Sequence, residues 1–266
     1  MEEKYIKSFD NSEIFYRVWT GKRDCLVFLH GVTASLQSWM FIAPFFIEKG
    51  YMVIEIDLRG HGGSSRGETL DFYKVDNNVS DVAAVLDNEN VHEAVFIGHS
   101  LGAGIAQKFY QAFPARVKAM VLISAKFVEI RPTVIVKILN GILRIILSLS
   151  SMGQPNRNYP DYRKYQNTMD IHAPRILADI KVASLKTYAA SILTGNNFEN
   201  KNYLAINVPT LIIHGRKDLI APYGAMEKAA AEKENFHFQA LSTNHITLLN
   251  KPEEINESIL KFFVKL

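Results

Sequence analysis

Eight short apolar runs recur along the chain, and most are separated by segments in which apolar residues return with a helical period. The first two runs, YIKSF and EIFYRVW, alternate apolar and polar residues and are joined through Asp10-Asn11, which predicts an antiparallel hairpin. The later runs are continuously apolar, as expected of strands covered on both faces. These further predicted strands are CLVFLH, MVIEIDL, EAVFIG, KAMVLIS, TLIIHG and FHFQAL.

The segments between the strands predict helices on both faces of one sheet. A repeated order of strand, helix and strand is typical of a mostly parallel sheet. The sequence therefore predicts the α/β class, with a mostly parallel eight-stranded sheet flanked by helices. The predicted helices cover residues 36–49, 72–88, 102–113, 225–233 and 252–265.

The strand–helix rhythm stops between the sixth and seventh strands. This stretch has no convincing strand, and it holds an apolar segment at 133–151, a polar link and a second helical pattern, ILADIKVASLKTYAASIL. We therefore expect a core domain made of residues 1–125 and 206–266, with residues 126–205 forming a helical cap inserted between two strands.

The apolar segment 133–151 is long enough to be considered as a membrane span. Lys137 and Arg144 lie well inside it, and both side chains are costly at bilayer depth. They belong to a polar stripe at helical spacing, so the segment predicts an amphipathic helix with a wide apolar face rather than a stable span. We expect that face to contact substrate, a second copy of the chain in a homodimer, or a lipid surface.

Composition and charge narrow the classes of function. The 266 residues are 48% hydrophobic, enough for one sizeable core, and a formal net charge of +3 without a dense basic cluster argues against nucleic-acid binding. Cys25 is the single cysteine and begins an apolar run, so we expect a buried thiol and no intrachain disulfide. The charged N-terminal segment lacks the apolar core of a signal peptide, and we expect a cytoplasmic protein.

A serine stands at the turn between a predicted strand and a predicted helix, in VFIGHSLGAG. Ser100 lies in the pattern Gly-x-Ser-x-Gly, which in this context indicates a nucleophile elbow. The serine backbone is strained in such a turn, so Gly98 and Gly102 must lack side chains. The turn lifts the serine Oγ above the sheet edge, and the following helix places the Leu101 N–H beside it.

A serine hydroxyl is a poor nucleophile unless a base takes its proton and a third group orients that base. Two later stretches supply these groups. Asp218 follows the apolar run of TLIIHGRKDLIAP, and His245 follows the last predicted strand, in LSTNHITLLNKPEEI. The sequence therefore predicts Ser100, Asp218 and His245 as a catalytic triad.

The chain resembles the α/β-hydrolase superfamily, in its branch of esterases, lipases and epoxide-hydrolase-like proteins. HGVTAS, DLRGHGGS, GHSLGAG, GRKDLIAP and the late Asn-His pair match its motifs in order, over residues 12–125 and 206–264. The resemblance implies the α/β-hydrolase fold with a helical cap. It also implies an oxyanion hole made by the backbone N–H groups of Val32 and Leu101. His30 is expected to orient this loop, and His30 and Gly31 are expected to border the substrate.

Two triad positions have competitors. Asp57 also follows a predicted strand, but the resemblance implies that it is structural and binds backbone N–H groups of its own loop. His99 is expected to point into the structure, and no metal site is predicted because the candidate ligands lack the short spacings of zinc sites. The other histidines are His30, His61, His92, His172, His214 and His237.

The predicted activity is hydrolysis of carboxylic esters with hydrophobic short-to-medium acyl or aryl groups, with a small-molecule ester as the partner and no cofactor. A serine nucleophile argues against an epoxide hydrolase or dehalogenase, for which the resemblance implies aspartate. Cap residues that we expect to border the acyl group are Ile138, Ile142 and Ile145, and cap aromatics that suggest an apolar pocket are Phe127, Tyr159, Tyr162, Tyr165 and Tyr188.

Alternatives with the same triad are a lactonase, a thioesterase or a carbon–carbon bond hydrolase. An aminopeptidase would need acidic cap groups to bind a substrate ammonium, and the candidates are Glu129, Asp161, Asp170 and Asp179. The cap is net basic, which weakens the aminopeptidase alternative. A small-molecule receptor on the same fold is the alternative that is not an enzyme.

Overall fold

The computed structural model describes residues 1–126, 134–196 and 203–266. Its centre is one eight-stranded sheet in the order β1-β2-β4-β3-β5-β6-β7-β8. The β1–β2 and β2–β4 pairs are antiparallel and the others are parallel, so the prediction of a mostly parallel sheet is confirmed. The strands are β1 (Glu2–Lys7), β2 (Glu13–Trp19), β3 (Arg23–Leu29), β4 (Tyr51–Ile56), β5 (Ala94–His99), β6 (Val117–Ile123), β7 (Thr210–Gly215) and β8 (Phe236–Leu241).

The predicted N-terminal hairpin is present, but its first strand begins and ends earlier than predicted. The Ser8 N–H donates to the Ser12 carbonyl over 2.8 Å, and the Asn11 N–H donates to the Ser8 carbonyl over 3.0 Å. These bonds close the turn at Ser8, so YIKSF is split between strand and turn. Asn11 has a φ of 65°, a conformation that asparagine tolerates better than most residues.

Helices cover both faces of the sheet, as the strand–helix rhythm predicts. The segment predicted as one helix over residues 36–49 is instead a 3-10 turn, Leu36–Trp39, followed by a short helix that has Pro44 in its first turn. The helices are α1 (Ala43–Glu48), α2 (Val75–Asn88), α3 (Leu101–Ala112), α4 (Val134–Leu149), α5 (Ala173–Ala183), α6 (Leu185–Asn196), α7 (Tyr223–Ala230), α8 (Thr247–Asn250) and α9 (Pro252–Phe263).

The two faces of the sheet belong to two apolar cores. In β3, Val27 and Leu29 pack with side chains of α2 and α3, whereas Leu26 and Phe28 pack with side chains of α1 and α9. Alternate residues of one strand are thus buried on opposite faces. This explains why the central strands are continuously apolar in sequence.

A helical insertion separates β6 from β7, and over residues 134–196 it contains α4, α5 and α6 but no strand. Helix α4 packs on α6 through Leu143, with Ala189 and Leu193 on the facing side. The insertion follows the carboxyl end of β6, at the edge of the sheet where the loops after β5, β7 and β8 also emerge. Over the described residues, none of the helices has both the length and the apolarity that crossing a bilayer requires.

Candidate active site

Ser100 lies at a strained turn between β5 and α3. Its backbone has φ 51° and ψ −113°, and its N–H donates to the Ile123 carbonyl over 2.9 Å. A Cβ on Gly98 would lie 2.5 Å from the Ala103 nitrogen, and one on Gly102 would lie 2.0 Å from the Leu29 carbonyl oxygen. Both glycines are therefore required for the chain to turn this tightly, which keeps the Ser100 backbone in its left-handed conformation.

Three side chains from separate loops form one hydrogen-bonded row. His245 Nε2 lies 3.0 Å from Ser100 Oγ, and His245 Nδ1 lies 2.8 Å from Asp218 Oδ2. Asp218 comes from the loop after β7 and His245 from the loop after β8, so parallel strands bring both groups to the edge where Ser100 emerges. The distances suit proton transfer from the hydroxyl to the imidazole.

The Asp218 carboxylate is buried but well provided with donors. Its Oδ1 accepts hydrogen bonds from the Ile220 and Ala221 N–H groups, each over 2.8 Å, and its Oδ2 also lies 3.3 Å from His214 Nε2. Burial by itself would raise the pKa of Asp218, but the hydrogen bond from His245 and the backbone donors outweigh it and the pKa is lowered. The group therefore stays ionised at neutral pH and can orient His245.

Two backbone N–H groups beside Ser100 have the character of an oxyanion hole. Within the described residues, neither the Val32 nor the Leu101 N–H donates to a protein acceptor. Leu101 is the first residue of α3, where the N–H has no partner inside the helix. A Cβ on Gly31 would lie 3.2 Å from Ser100 Cβ, so the loop carrying Val32 passes directly beside the nucleophile.

A family model described as "Serine aminopeptidase, S33" matches residues 20–242. The chain belongs to this family, within the α/β-hydrolase superfamily. A non-heme chloroperoxidase of Streptomyces lividans is 30% identical over 97% of this chain and 98% of its own length. A bifunctional esterase/perhydrolase of Acinetobacter calcoaceticus is 29% identical with the same coverage. An esterase of Exiguobacterium antarcticum has the same fold, with a TM-score of 0.79 and 22% identity over the full length of both chains.

Two neutral histidines hold the loop of this α/β-hydrolase that carries Val32. His30 Nδ1 donates to the Gly31 carbonyl over 2.8 Å and His30 Nε2 accepts from the Leu58 N–H over 3.1 Å. His61 Nε2 accepts from the Thr33 N–H over 3.2 Å. Burial holds the pKa of His30 well below its usual range and lowers that of His61 to about 4. The His30 ring is fully buried, and the expected contact of His30 and Gly31 with substrate stays a prediction.

His99 points into the structure, as predicted. Its Nε2 donates to the His245 carbonyl over 3.0 Å, and burial lowers the pKa of His99 to about 3. A neutral ring can keep this N–H on Nε2 throughout the working pH range. His99, the residue before Ser100, therefore supports the backbone of His245.

Asp57, the competitor for the acid position, lies in a different cluster. Its Oδ1 accepts from the Leu36 N–H over 2.9 Å, and its Oδ2 accepts from the Gly63 N–H over 2.8 Å and the Tyr159 hydroxyl over 2.6 Å. The expected bond to a backbone N–H of its own loop is confirmed for Gly63, whereas the Leu36 N–H belongs to the segment after β3. Burial raises the pKa of Asp57 to about 6.

The predicted substrate-contacting isoleucines lie on the exposed side of α4. Ile138, Ile142 and Ile145 are 60%, 50% and 59% exposed, whereas Leu143 makes the buried contact with α6. The expected contact with an acyl group stays a prediction for these three residues. Phe127 and Glu129, named above as cap candidates, lie outside the described residues. Within the described ranges, no cluster of three or more histidine, cysteine or carboxylate side chains is arranged as a metal site.

The position of Asp170 beside Ser100, Asp218 and His245 was not predicted from the sequence. Asp170 was considered only as a group that could bind an ammonium, yet its carboxylate accepts a hydrogen bond from the His245 N–H over 2.7 Å. The sequence offers a weak signal: a single carboxylate between the apolar residues Met169 and Ile171, far from any motif. Only the folded insertion brings it to the base.

Proposed function

We propose that the chain is a serine hydrolase that cleaves carboxylic esters with hydrophobic short-to-medium acyl or aryl groups through an acyl-enzyme intermediate. The observation that carries the proposal is the hydrogen-bonded row from Ser100 Oγ through His245 to Asp218. The Val32 and Leu101 N–H groups, which have no acceptor within the described residues, lie beside the serine, where the tetrahedral intermediate places its negative charge.

The proposed reaction uses each group in turn. His245 takes the proton of Ser100 as Oγ attacks the acyl carbonyl, and Asp218 stabilises the imidazolium that forms. The Val32 and Leu101 N–H groups bind the oxyanion, and each such donor is typically worth ~100-fold or more in rate. His245 then protonates the leaving alcohol, and it activates the water that releases the acid from Ser100.

We propose that residues 126–205 form a cap over the active site. The proposed substrate class rests on this cap. A Cβ on Gly195 of α6 would lie 3.3 Å from Val32 Cγ1, so the end of α6 borders the oxyanion loop. Asn196 donates to Asn140 of α4 over 2.8 Å, so α4 lies one helix further out. We propose that the exposed apolar face of α4 guides a hydrophobic acyl or aryl group toward Ser100.

Other acyl substrates would use the same machinery, and lactones, thioesters and carbon–carbon bonds are the main alternatives. The bifunctional esterase/perhydrolase relative favours an ester. For an aminopeptidase, the described cap carboxylates are already engaged by groups of the chain itself. Asp161 is paired with Arg163, Asp179 accepts from the Tyr162 hydroxyl, and Asp170 accepts from the His245 and Leu219 N–H groups. The receptor alternative predicts binding without turnover.

A panel of p-nitrophenyl esters from acetate to octanoate, with one lactone and one thioester, tests the proposal. We expect kcat/KM to be highest for an ester. Replacing Ile142 with alanine should shift the preference between short and longer acyl chains by about tenfold if α4 borders the acyl group. A substrate preferred over all of the esters would contradict the proposed class, and an unchanged chain-length profile would remove α4 from the acyl site.

A further inference from the structure

Asp170 connects the insertion to both loops that carry the acid and the base. Its Oδ1 accepts from the His245 N–H over 2.7 Å, and its Oδ2 accepts from the Leu219 N–H over 3.2 Å. Leu219 directly follows Asp218. One carboxylate, only 7% exposed, thus binds the backbone at the catalytic base and next to the catalytic acid.

The segment around Asp170 is itself held in place on two sides. The Thr168 carbonyl accepts from the Asn244 and Asn250 side chains over 2.7 and 3.0 Å, which docks the segment on the loop of His245. Arg175 of α5 donates to the Asp170 carbonyl over 2.7 Å. The carboxylate is therefore fixed relative to both loops rather than free to follow one of them.

The chemistry of the site requires a carboxylate. Two N–H donors converge on Asp170, and only an acid offers an acceptor oxygen to each of them. Asparagine in the same place would present an NH₂ group to one N–H. Charge-assisted hydrogen bonds from backbone donors to a carboxylate are roughly twice as strong as neutral ones, so this side chain is suited to restraining both backbones.

We propose that Asp170 is a positioning residue that sets the distance between His245 and Asp218 from within the insertion. This inference rests on the proposed function, because Asp170 acts on the reaction only through the triad. The proposed role makes the insertion part of the catalytic geometry. A displacement of the base by about 1 Å can cost ~100-fold in rate, so loss of the two bonds should be visible in kcat.

The test compares Asp170→Ala and Asp170→Asn with wild type in ester hydrolysis and in the rate of labelling by a fluorophosphonate, which also needs His245 as base. The matched control is Asp161→Asn, a cap carboxylate whose side chain pairs with exposed Arg163. We expect kcat and the labelling rate to fall together by ~30-fold or more in Asp170→Ala, with KM within about threefold of wild type. Asp170→Asn keeps one acceptor and should lose less, and the control should lose nothing.

The outcomes separate this inference from the proposed function. A wild-type chain that neither hydrolyses esters nor labels at Ser100 would contradict the proposed function. An active wild type with unchanged kcat in folded Asp170→Ala, or a rise in KM alone, would overturn the role of Asp170. If the alanine variant does not fold, the nearly isosteric Asp170→Asn decides, and unchanged kcat and labelling in that variant overturn the proposal.

Discussion

The Tyr159 hydroxyl donates a 2.6 Å hydrogen bond to Asp57 Oδ2, which ties the insertion to the loop after β4. Asp57 is fully buried, so the loss of this donor leaves one carboxylate oxygen with the Gly63 N–H alone. We predict that Tyr159→Phe lowers the free energy of unfolding by ~1.5–3 kcal/mol, as expected for one hydrogen bond to a charged group.

Chemical denaturation measures this loss. Tyr165→Phe is the matched control, because the Tyr165 hydroxyl makes no hydrogen bond within the described residues, and it should leave stability nearly unchanged. Equal effects of the two substitutions would show that the Tyr159–Asp57 bond contributes nothing specific.

The choice between the two candidate acids predicts opposite phenotypes. Asp218→Asn should fold normally and lose ~10⁴-fold in kcat, because the amide favours the wrong tautomer of His245. Asp57→Asn should mainly lower stability, since Asp57 bonds to the Leu36 and Gly63 N–H groups and not to the base. Steady-state kinetics and thermal melts of both variants show which carboxylate orients His245. The reverse pattern would mean that Asp57 is the acid.

The nucleophile elbow predicts a sharp contrast between two glycines. A Cβ on Gly102 would lie 2.0 Å from the Leu29 carbonyl oxygen, whereas a Cβ on Gly141 of α4 meets nothing within 4 Å. Gly102→Ala should cost ~2 kcal/mol or more and most of the activity. Gly141→Ala should stabilise by ~0.5–1 kcal/mol because alanine favours a helix interior. Denaturation curves of equal midpoint for the two variants would contradict the described turn.

A buried glutamate predicts how stability depends on pH. Glu55 of β4 lies opposite Arg17 of β2, and burial raises the pKa of its carboxyl to about 8 despite that arginine. The folded chain therefore holds a proton that the unfolded chain releases above about pH 4.5, so this contribution to stability is lost as pH rises from there through 8.

Glu55→Gln removes that titration. We predict that the free energy of unfolding of the variant, relative to that of wild type, rises by ~1 kcal/mol or more between pH 5 and pH 8.5. Glu234→Gln, at an exposed glutamate, should follow wild type at every pH. A Glu55→Gln curve parallel to wild type across this range would show that Glu55 does not titrate in the fold.

Features set by local pattern were predictable from the sequence, and features set by tertiary contacts were not. Two alternating runs and six apolar runs predicted the eight strands. Ser100, Asp218 and His245 each follow one of the apolar runs, so the topology of parallel strands was enough to bring the three together. Asp170 carries no such signal, because its partners lie 49 and 75 residues away. The period of α4 predicted a helix, yet it could not tell that Leu143 packs inward while Ile142 is exposed.

Covalent labelling of Ser100 tests the central claim most directly. Intact mass spectrometry should show one phosphonyl adduct on wild type after treatment with a fluorophosphonate, a peptide map should place it on Ser100, and ester hydrolysis should fall in step with the adduct. Ser100→Ala should neither label nor turn over, while Ser258→Ala, at a half-buried serine of α9 far along the chain from Ser100, should do both. Labelling or hydrolysis that persists in Ser100→Ala would contradict the account.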